Sequence, residues 1–560
     1  MRAYATIVVV LLALPRPASA TTYTWTAGGG ANTNWSQASN WGGGAPGNGE
    51  TGVELVFPAL TGHYASNNDL VGLRVASVSI TTELSDGDYL FIGNSIQVGG
   101  PMTMASPNGG DPNLVWQIPM VMIGPVTISA SGRQTQLQGP IDLGSETLTL
   151  DAEGDIVLAG VVSGSGNLVK NNGSALTITG ANTYSGSTTG NRGALYISNA
   201  AAFGATAMGT RFTGGFLGFS PGSTFTTSEP FVFDGGSILA YGTPTIAGQV
   251  TLNTETGIRA FDASATLTIS GTIVGAGVLD KVGPGLLVLT AAVNHYQGGT
   301  NVDAGTLRLD SSLSSTGTVT VRSGAVLQGD GSTAGAVMVE SGGRVSPGTS
   351  PGELSSAGLR MAAGATFAAD IDGPAAVTQY DRMSVGGVVD LGGASLNVTV
   401  GYEPADGQQF TLISKLQGQQ AIGIFAGLAE GATLDAGGKT FGITYRGGSG
   451  NDVVLVAGAT PAPTSTPTVF VPTDTQTATP TPTPSAIPTP TATAFSGACT
   501  GDCNASGAVT VEEIVFGVTL AIDDASTALC ERFDTEPDDR VSLAELLDAI
   551  DNDLTGCGGN

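Results

Sequence analysis

Three short stretches constrain the fold before composition does: VTVRSGAV from Val319, VMVESGGRV from Val337 and LRMAAGATF from Leu359. Each is an apolar-x-apolar strand, a glycine turn and another apolar residue, and the three follow one another at short, near-regular intervals. A strand buries only alternate side chains, so a unit this short cannot enclose a core by itself. Stacking unit on unit can. The spacing therefore predicts a parallel β-solenoid, each coil burying its inward residues against the coils above and below. If most of residues 60–457 coil this way, about 20 coils at roughly 4.8 Å make a rod on the order of 100 Å long. A set of antiparallel sandwiches is the competing arrangement.

A longer duplication supports the coil. GSGNLVKNNGSALTITGANTYSGSTTGNRGALYI (164–197) aligns with GAGVLDKVGPGLLVLTAAVNHYQGGTNVDAGTLRL (275–309) with one inserted residue. The alignment pairs Lys170 with Lys281, Leu176 with Leu287, Asn182 with Asn294, Tyr184 with Tyr296 and Gly193 with Gly305. Composition agrees: 85 glycines, 12% charged and 6% aromatic residues suit many short strands and tight turns. A net charge of −27 leaves no basic stripe to neutralise phosphates, which argues against a nucleic-acid partner.

TYTWTAGGGANTNWSQASNW near the start, the two Lys-to-GAL units, SPGTSPGEL (346–354), QYDRMSVGGVVDL (379–391) and ITYRGGSGNDVVLV (443–456) resemble the autotransporter-associated β-strand repeat proteins over most of residues 21–457. The resemblance implies a secreted β-helical passenger-like region. After it, where that family carries a membrane-embedded β-barrel translocator, this sequence runs into a Thr/Pro tract at 460–495 whose one charge is Asp474. Proline at that density blocks helix and ladder hydrogen bonding, so residues 458–496 read as a disordered, extended spacer.

The last segment, 497–560, carries oxygen donors at calcium-loop spacing. A calcium loop needs oxygens at positions 1, 3, 5, 7, 9 and 12, with glycine at 6. Asp502, Asn504, Ser506, the carbonyl of Ala508, Thr510 and Glu513 fill them in order, with Gly507 at the turn. A second set follows at the same spacing: Asp534, Glu536, Asp538, the carbonyl of Arg540, Ser542 and Glu545. There Asp539 replaces the glycine and Pro537 adds stiffness, which predicts a weaker second site. Val509 and Val541 hold the eighth positions, where two loops pair by a short β-bridge, and an apolar helical pattern follows each loop. The segment resembles the dockerin module, and EF-hand pairs more broadly. That resemblance implies Ca2+ as cofactor and docking onto a cohesin-like protein partner. All four cysteines, Cys499, Cys503, Cys530 and Cys557, lie here, which in an oxidising compartment reads as a disulfide-stapled module with three possible pairings.

Residues 1–20, with Arg2, an apolar run from Ala3 to Leu14 and Ala18-Ser19-Ala20, read as a cleaved signal peptide. The expected order is thus signal peptide (1–20), solenoid cap (21–59), β-solenoid (60–457), linker (458–496) and a small α-helical EF-hand or dockerin-like pair (497–560), with no transmembrane segment after cleavage.

Other chemistry-bearing residues read as structural. Asp370, Asp372, Asp381 and Arg382 fit turns, and His295 replaces Thr183 of the other repeat copy. His63 stands alone, and GGSGNDVVL (447–455) reads as a closing strand and turn rather than a lone calcium nonapeptide. Trp25, Trp35 and Trp41 read as a plug for the open end of the solenoid rather than a sugar platform. No catalytic residue is assigned.

The expectation is a secreted or cell-surface, non-enzymatic, adhesin-like rod, held by a calcium-dependent tail, with a cell-surface glycan as a possible second ligand. The competing function is a polysaccharide-binding or polysaccharide-degrading β-helix recruited by the tail. Isothermal titration of a 497–560 fragment tests the calcium loops: uptake is expected, and it is lost when Asp502→Ala is combined with Glu513→Ala. No heat at millimolar calcium sinks that assignment.

Overall fold

The computed structural model describes residues 20–458 apart from 63–64, 83–87, 106–113, 133 and 419. In the tail it describes residues 500, 509, 514, 541, 546, 549 and 550. The chain divides into two units, Met1–Ser465 and Thr466–Asn560.

The first unit is a parallel β-solenoid of about 14 turns. The three strands that suggested the coil stack in register, Val319 on Val337 and Val337 on Leu359. Ladder pairing is parallel from the third strand, Thr51–Phe57, to Ser395–Val400, which excludes the sandwich arrangement. The strands form three sheets that share one interior, the first from Thr21 to Val274, the second from Ala65 to Ala457 and the third from Thr226 to Val400. Inward residues form stacks along the axis. One runs Ile156, Leu176, Leu195, Leu217, Ile238 and Ile258, each at most 2% exposed. At about 25 cal/mol per Å² of apolar surface removed from water, these stacks are the main favourable term holding the coils together.

The solenoid has fewer coils than the spacing predicts. Coil length is uneven: Val321 pairs with Val339 on the next coil, whereas Leu359 meets its partner on the next coil, Val389, after a much longer excursion of chain. In addition, the chain reverses after Gln409–Lys415, the last strand to pair in parallel with the coil before it, Met383 on Ile413. The strand Gln409–Lys415 pairs antiparallel with Asp452–Ala457, which pairs antiparallel with Lys439–Gly447. At about 4.8 Å per turn the solenoid is roughly 65–70 Å long.

Both ends are closed. At the start, Trp25, Trp35 and Trp41 are each at most 4% exposed, and Trp25 and Trp35 pack edge-on against Trp41. Their rings sit on Phe57 at the head of the core, and the Trp41 indole N–H donates to the Trp35 carbonyl at 2.7 Å. They plug the solenoid, and none presents a face to a sugar. At the far end, the segment 447–455 is the turn and return strand of the antiparallel hairpin. The Asp452 carboxylate accepts the Lys415 N–H there at 2.8 Å.

Glycine is abundant because the coils approach closely at their corners. Gly277, Gly298, Gly317 and Gly335 stack one above another along one corner. A Cβ at Gly298 would lie 2.2 Å from the Gly277 carbonyl oxygen, and one at Gly335 would lie 2.0 Å from that of Gly317. Nothing flexible is available to yield, since the obstacle is backbone.

A polar column interrupts the apolar interior beside the strands Thr188–Gly190 and Thr210–Phe212. The Tyr184 hydroxyl bonds the Thr188 hydroxyl, Thr188 stacks on Thr210, and the Thr210 hydroxyl donates to Glu229 Oε1 at 2.8 Å. Glu229 is 2% exposed and its Oε2 has no hydrogen-bond partner. Burial pushes its carboxyl up to about 7, the Thr210 hydrogen bond opposing.

Two outcomes are expected. Gly298→Ala destabilises the solenoid by about 1–3 kcal/mol, because backbone must shift to admit one methyl group, read as a lower thermal midpoint with unchanged β-sheet circular dichroism. For Glu229 the folded acid holds a proton between pH 4.5 and about 7 that the unfolded acid has released, so its contribution to stability falls as pH rises through that window. Glu229→Gln therefore matches the parent at pH 4 and is more stable at pH 8, by on the order of 3 kcal/mol, in thermal melts at the two pH values. A gain of equal size at both overturns that reading.

Candidate functional site

The residues shared by the two repeat copies turn out to be corner fasteners. Lys170 and Lys281 are at most 1% exposed, their alkyl stems lie in the core, and their ammonium groups reach back to the corner carbonyls. Lys170 Nζ donates to the carbonyls of Asn171, Asn172 and Arg192 at 2.5, 2.8 and 3.3 Å. Lys281 Nζ donates to those of Val282, Gly283 and Ala304 at 3.3, 2.7 and 2.8 Å. Each lysine thus ties its own turn to the turn of the next coil. Burial lowers both ammonium groups, Lys281 to about 8, while Asp151 and Asp155 oppose the shift at Lys170.

The aligned asparagines do equivalent work. Asn182 Oδ1 accepts the Val162 N–H and its amide donates to the Ala202 carbonyl; Asn294 accepts the Ile273 N–H and donates to Ser311 Oγ. Tyr184 and Tyr296 each bond a threonine hydroxyl four residues on, and burial raises both phenols. Gly193 and Gly305 adopt φ of 71° and 65° directly over the turn of the coil before, where a Cβ would meet carbonyl oxygens at 2.5 Å.

The two copies do not lie on the same side of the solenoid. Lys170 is in the first sheet, in register with Gly190, and the strand Ala175–Ile178 follows in the second. Lys281 is in the second sheet, in register with Ile258 and Val302, and Leu286–Leu289 follows in the third. The second copy is thus several coils farther along and one face further round.

A groove of about 590 Å³ runs beside Asp310, Asp330, Pro351, Glu353 and Val377, close to the acids picked out in the sequence. Asp372 is exposed, and the carboxylates of Asp370 and Asp381 are engaged. Asp381, 1% exposed, accepts the N–H groups of Gly352 and Asp370 at 2.9 Å each. Burial raises it to about 6, with those N–H groups opposing and Asp370 and Asp330 adding to the rise. Asp330 accepts the Thr349 hydroxyl and the Glu353 N–H, and Ser350 donates to Asp370. Arg382 pairs with Glu353 at 2.9 Å, and Ser384 donates to the same oxygen. These bonds hold this long coil and its SPGTSPGEL turn in shape. Asp381, whose ionisation burial displaces, is sealed from the groove. His295 is exposed, with Nδ1 3.0 Å from Ser314 Oγ, and His63 lies outside the described residues.

The twelve proposed calcium positions, Asp502 to Glu513 and Asp534 to Glu545, lie outside the described residues, as do Cys499, Cys503, Cys530 and Cys557. Of the neighbouring positions, Val509 and Val541 are 4% and 8% exposed, and Ile514, Leu546, Ala549 and Ile550 are helical. Sequence reasoning assigned no role to the shared lysines and asparagines, although their alignment marked them, and it passed over Glu229, a lone acid in the run TSEPFVF.

Comparison with known proteins returns the same two segments. Residues 168–197 and 279–309 match the passenger-associated-transport-repeat family. Over 300 residues, 52% of this chain, the sequence is 31% identical to a protein of Brucella suis biovar 1 (strain 1330) described as "Adhesin BmaC autotransporter". The match spans 8% of that relative's length. The repeat segments of this chain are therefore similar to autotransporter passenger repeats, and the fasteners described above lie within the matched residues.

Proposed function

We propose that this protein is an exported, non-enzymatic, adhesin-like surface protein, in which the solenoid presents contact surface and the tail provides attachment. One observation carries the reading. The side chains common to both repeats point inward or into corners and are consumed by backbone groups of the coil itself, so the repeats build reach and rigidity. A parallel solenoid suits this because length grows coil by coil without a new core. Similarity to an adhesin autotransporter, over a small part of that relative, supports a surface role. Among the described residues no helix is long and apolar enough to cross a membrane, which is compatible with a rod held by its tail.

For the tail we infer a calcium-dependent docking device. The support is the loop spacing, which occurs twice, and the burial of Val509 and Val541 at matching positions of the two loops. Fourteen carboxylates against two basic side chains in 499–560 repel one another in the empty state, and calcium relieves that repulsion while fixing the helices.

The test uses the full chain as bait on extracts of the producing cells and in a binding assay on foreign cell surfaces. Calcium-dependent capture of a cell-envelope protein, lost in EDTA and in Asp502→Ala with Glu513→Ala, together with adhesion that survives both treatments, is the expected result. Equal capture with and without chelator overturns the docking device. Failure of the intact chain to adhere overturns the adhesin reading.

A further inference from the structure

Along the second sheet, every outward side chain from Asp155 to Thr177 is small, aliphatic or charged; then aromatic residues appear on four successive coils. Tyr196, Phe216, Tyr241 and Phe261 are all half-buried or exposed, Phe261 at 43%. Register places them on one outward face: Tyr196 is followed in its column by Gly218 and then Leu239, and Tyr241 stands two residues beyond Leu239. Tyr196 pairs with Gly218, Phe216 stands two residues before Gly218 on the same strand, and Tyr241 and Phe261 directly follow the paired Ala240 and Ala260. The Tyr196 and Phe216 ring centroids are 5.7 Å apart and edge-on, and those of Tyr241 and Phe261 are 4.4 Å apart with a 38° tilt. The two pairs make up an aromatic strip on this face, and partial burial raises the Tyr196 phenol, with Tyr241 and Asp155 adding to the rise.

The strip is shaped by a glycine. A Cβ at Gly218 would fall 2.3 Å from the Tyr196 ring, so this ring lies flat across the sheet only because the residue beneath it has no side chain. Unlike Tyr184 and Tyr296, which are sealed in the interior on threonine hydroxyls, these rings contribute nothing to the shared core. Arg259 and Ser237 flank them on the neighbouring coils, and both are reachable from solvent.

We propose that this strip is a carbohydrate-binding platform for a neutral polysaccharide, whose sugar rings stack on the aromatic faces while the flanking polar groups bond its hydroxyls. Two ring pairs spread over four successive coils about 4.8 Å apart offer stacking positions for a few sugar units. A stable protein interface needs roughly 800 Å² per partner, more than four side chains supply, whereas stacking of a sugar needs only ring faces. Charge selects the class: a chain of net charge −27 disfavours polyanions, and the strip holds one arginine among its neighbours rather than a basic cluster. The proposal rests on the adhesin-like reading and gives its contact surface a place and a chemistry.

The test is affinity electrophoresis of the full chain through gels containing mixed-linkage β-glucan, arabinoxylan or galactomannan, with alginate as the polyanion. Cell adhesion is measured in parallel. The variants are Tyr241→Ala with Phe261→Ala, and Tyr196→Ala alone, with circular dichroism and thermal melting showing that the solenoid persists. Retardation by at least one neutral polymer, weakened at least tenfold in the double variant and measurably in the single one, is expected. No retardation by any neutral polymer, stronger retardation by alginate, or unchanged binding in folded variants overturns the platform. If the parent adheres to cells and the double variant adheres equally, the platform fails while the adhesin reading stands. If the parent itself does not adhere, that reading fails.

Discussion

The distance between neighbouring coils governs this molecule. Parallel strands settle about 4.8 Å apart, and at the corners, where the chain turns sharply, that distance leaves no room for a methyl group aimed along the axis. The ladder from Gly277 to Gly335 shows the limit in its plainest form, with each Cβ position occupied by the carbonyl of the coil below. Glycine is therefore selected at these corners by close approach of backbone, and only at positions such as Gly193 and Gly305 by a left-handed φ as well. The same spacing lets a single lysine stitch two turns together, because its ammonium group can reach carbonyls of both.

Much of the solenoid was legible in the sequence because its signal is local. A strand that buries every second residue and a glycine at the turn must recur once per coil, and the observed register of Val319, Val337 and Leu359 follows directly from that repetition. The tryptophan plug was legible too, since large apolar rings at the start of an open coil have an obvious surface to cover. What could not be read was the number of turns. Coil length depends on insertions such as the loop between Ile371 and Tyr380, which leave the inward pattern intact while consuming chain.

The contact surface was the least legible feature. Inward positions betray themselves by alternation, but an outward aromatic residue in a strand has the same spacing as an outward threonine. Tyr196 becomes conspicuous only when Gly218 is placed beneath it and Phe216 beside it, which requires the register of its strand with the next. Asp370, Asp381 and Arg382, which fit turns in the sequence, are bonded to turns in space: Ser350 donates to Asp370, Asp381 accepts the Gly352 N–H, and Arg382 pairs with Glu353.

The displacement of the second repeat copy by one face has a consequence for how such proteins diversify. Because the cassette fits any corner, copying it lengthens the molecule without reproducing what its predecessor displays: Tyr196 and its aligned counterpart Arg308 look out from different sheets. Duplication here multiplies scaffolding and leaves each flank free to acquire its own specificity.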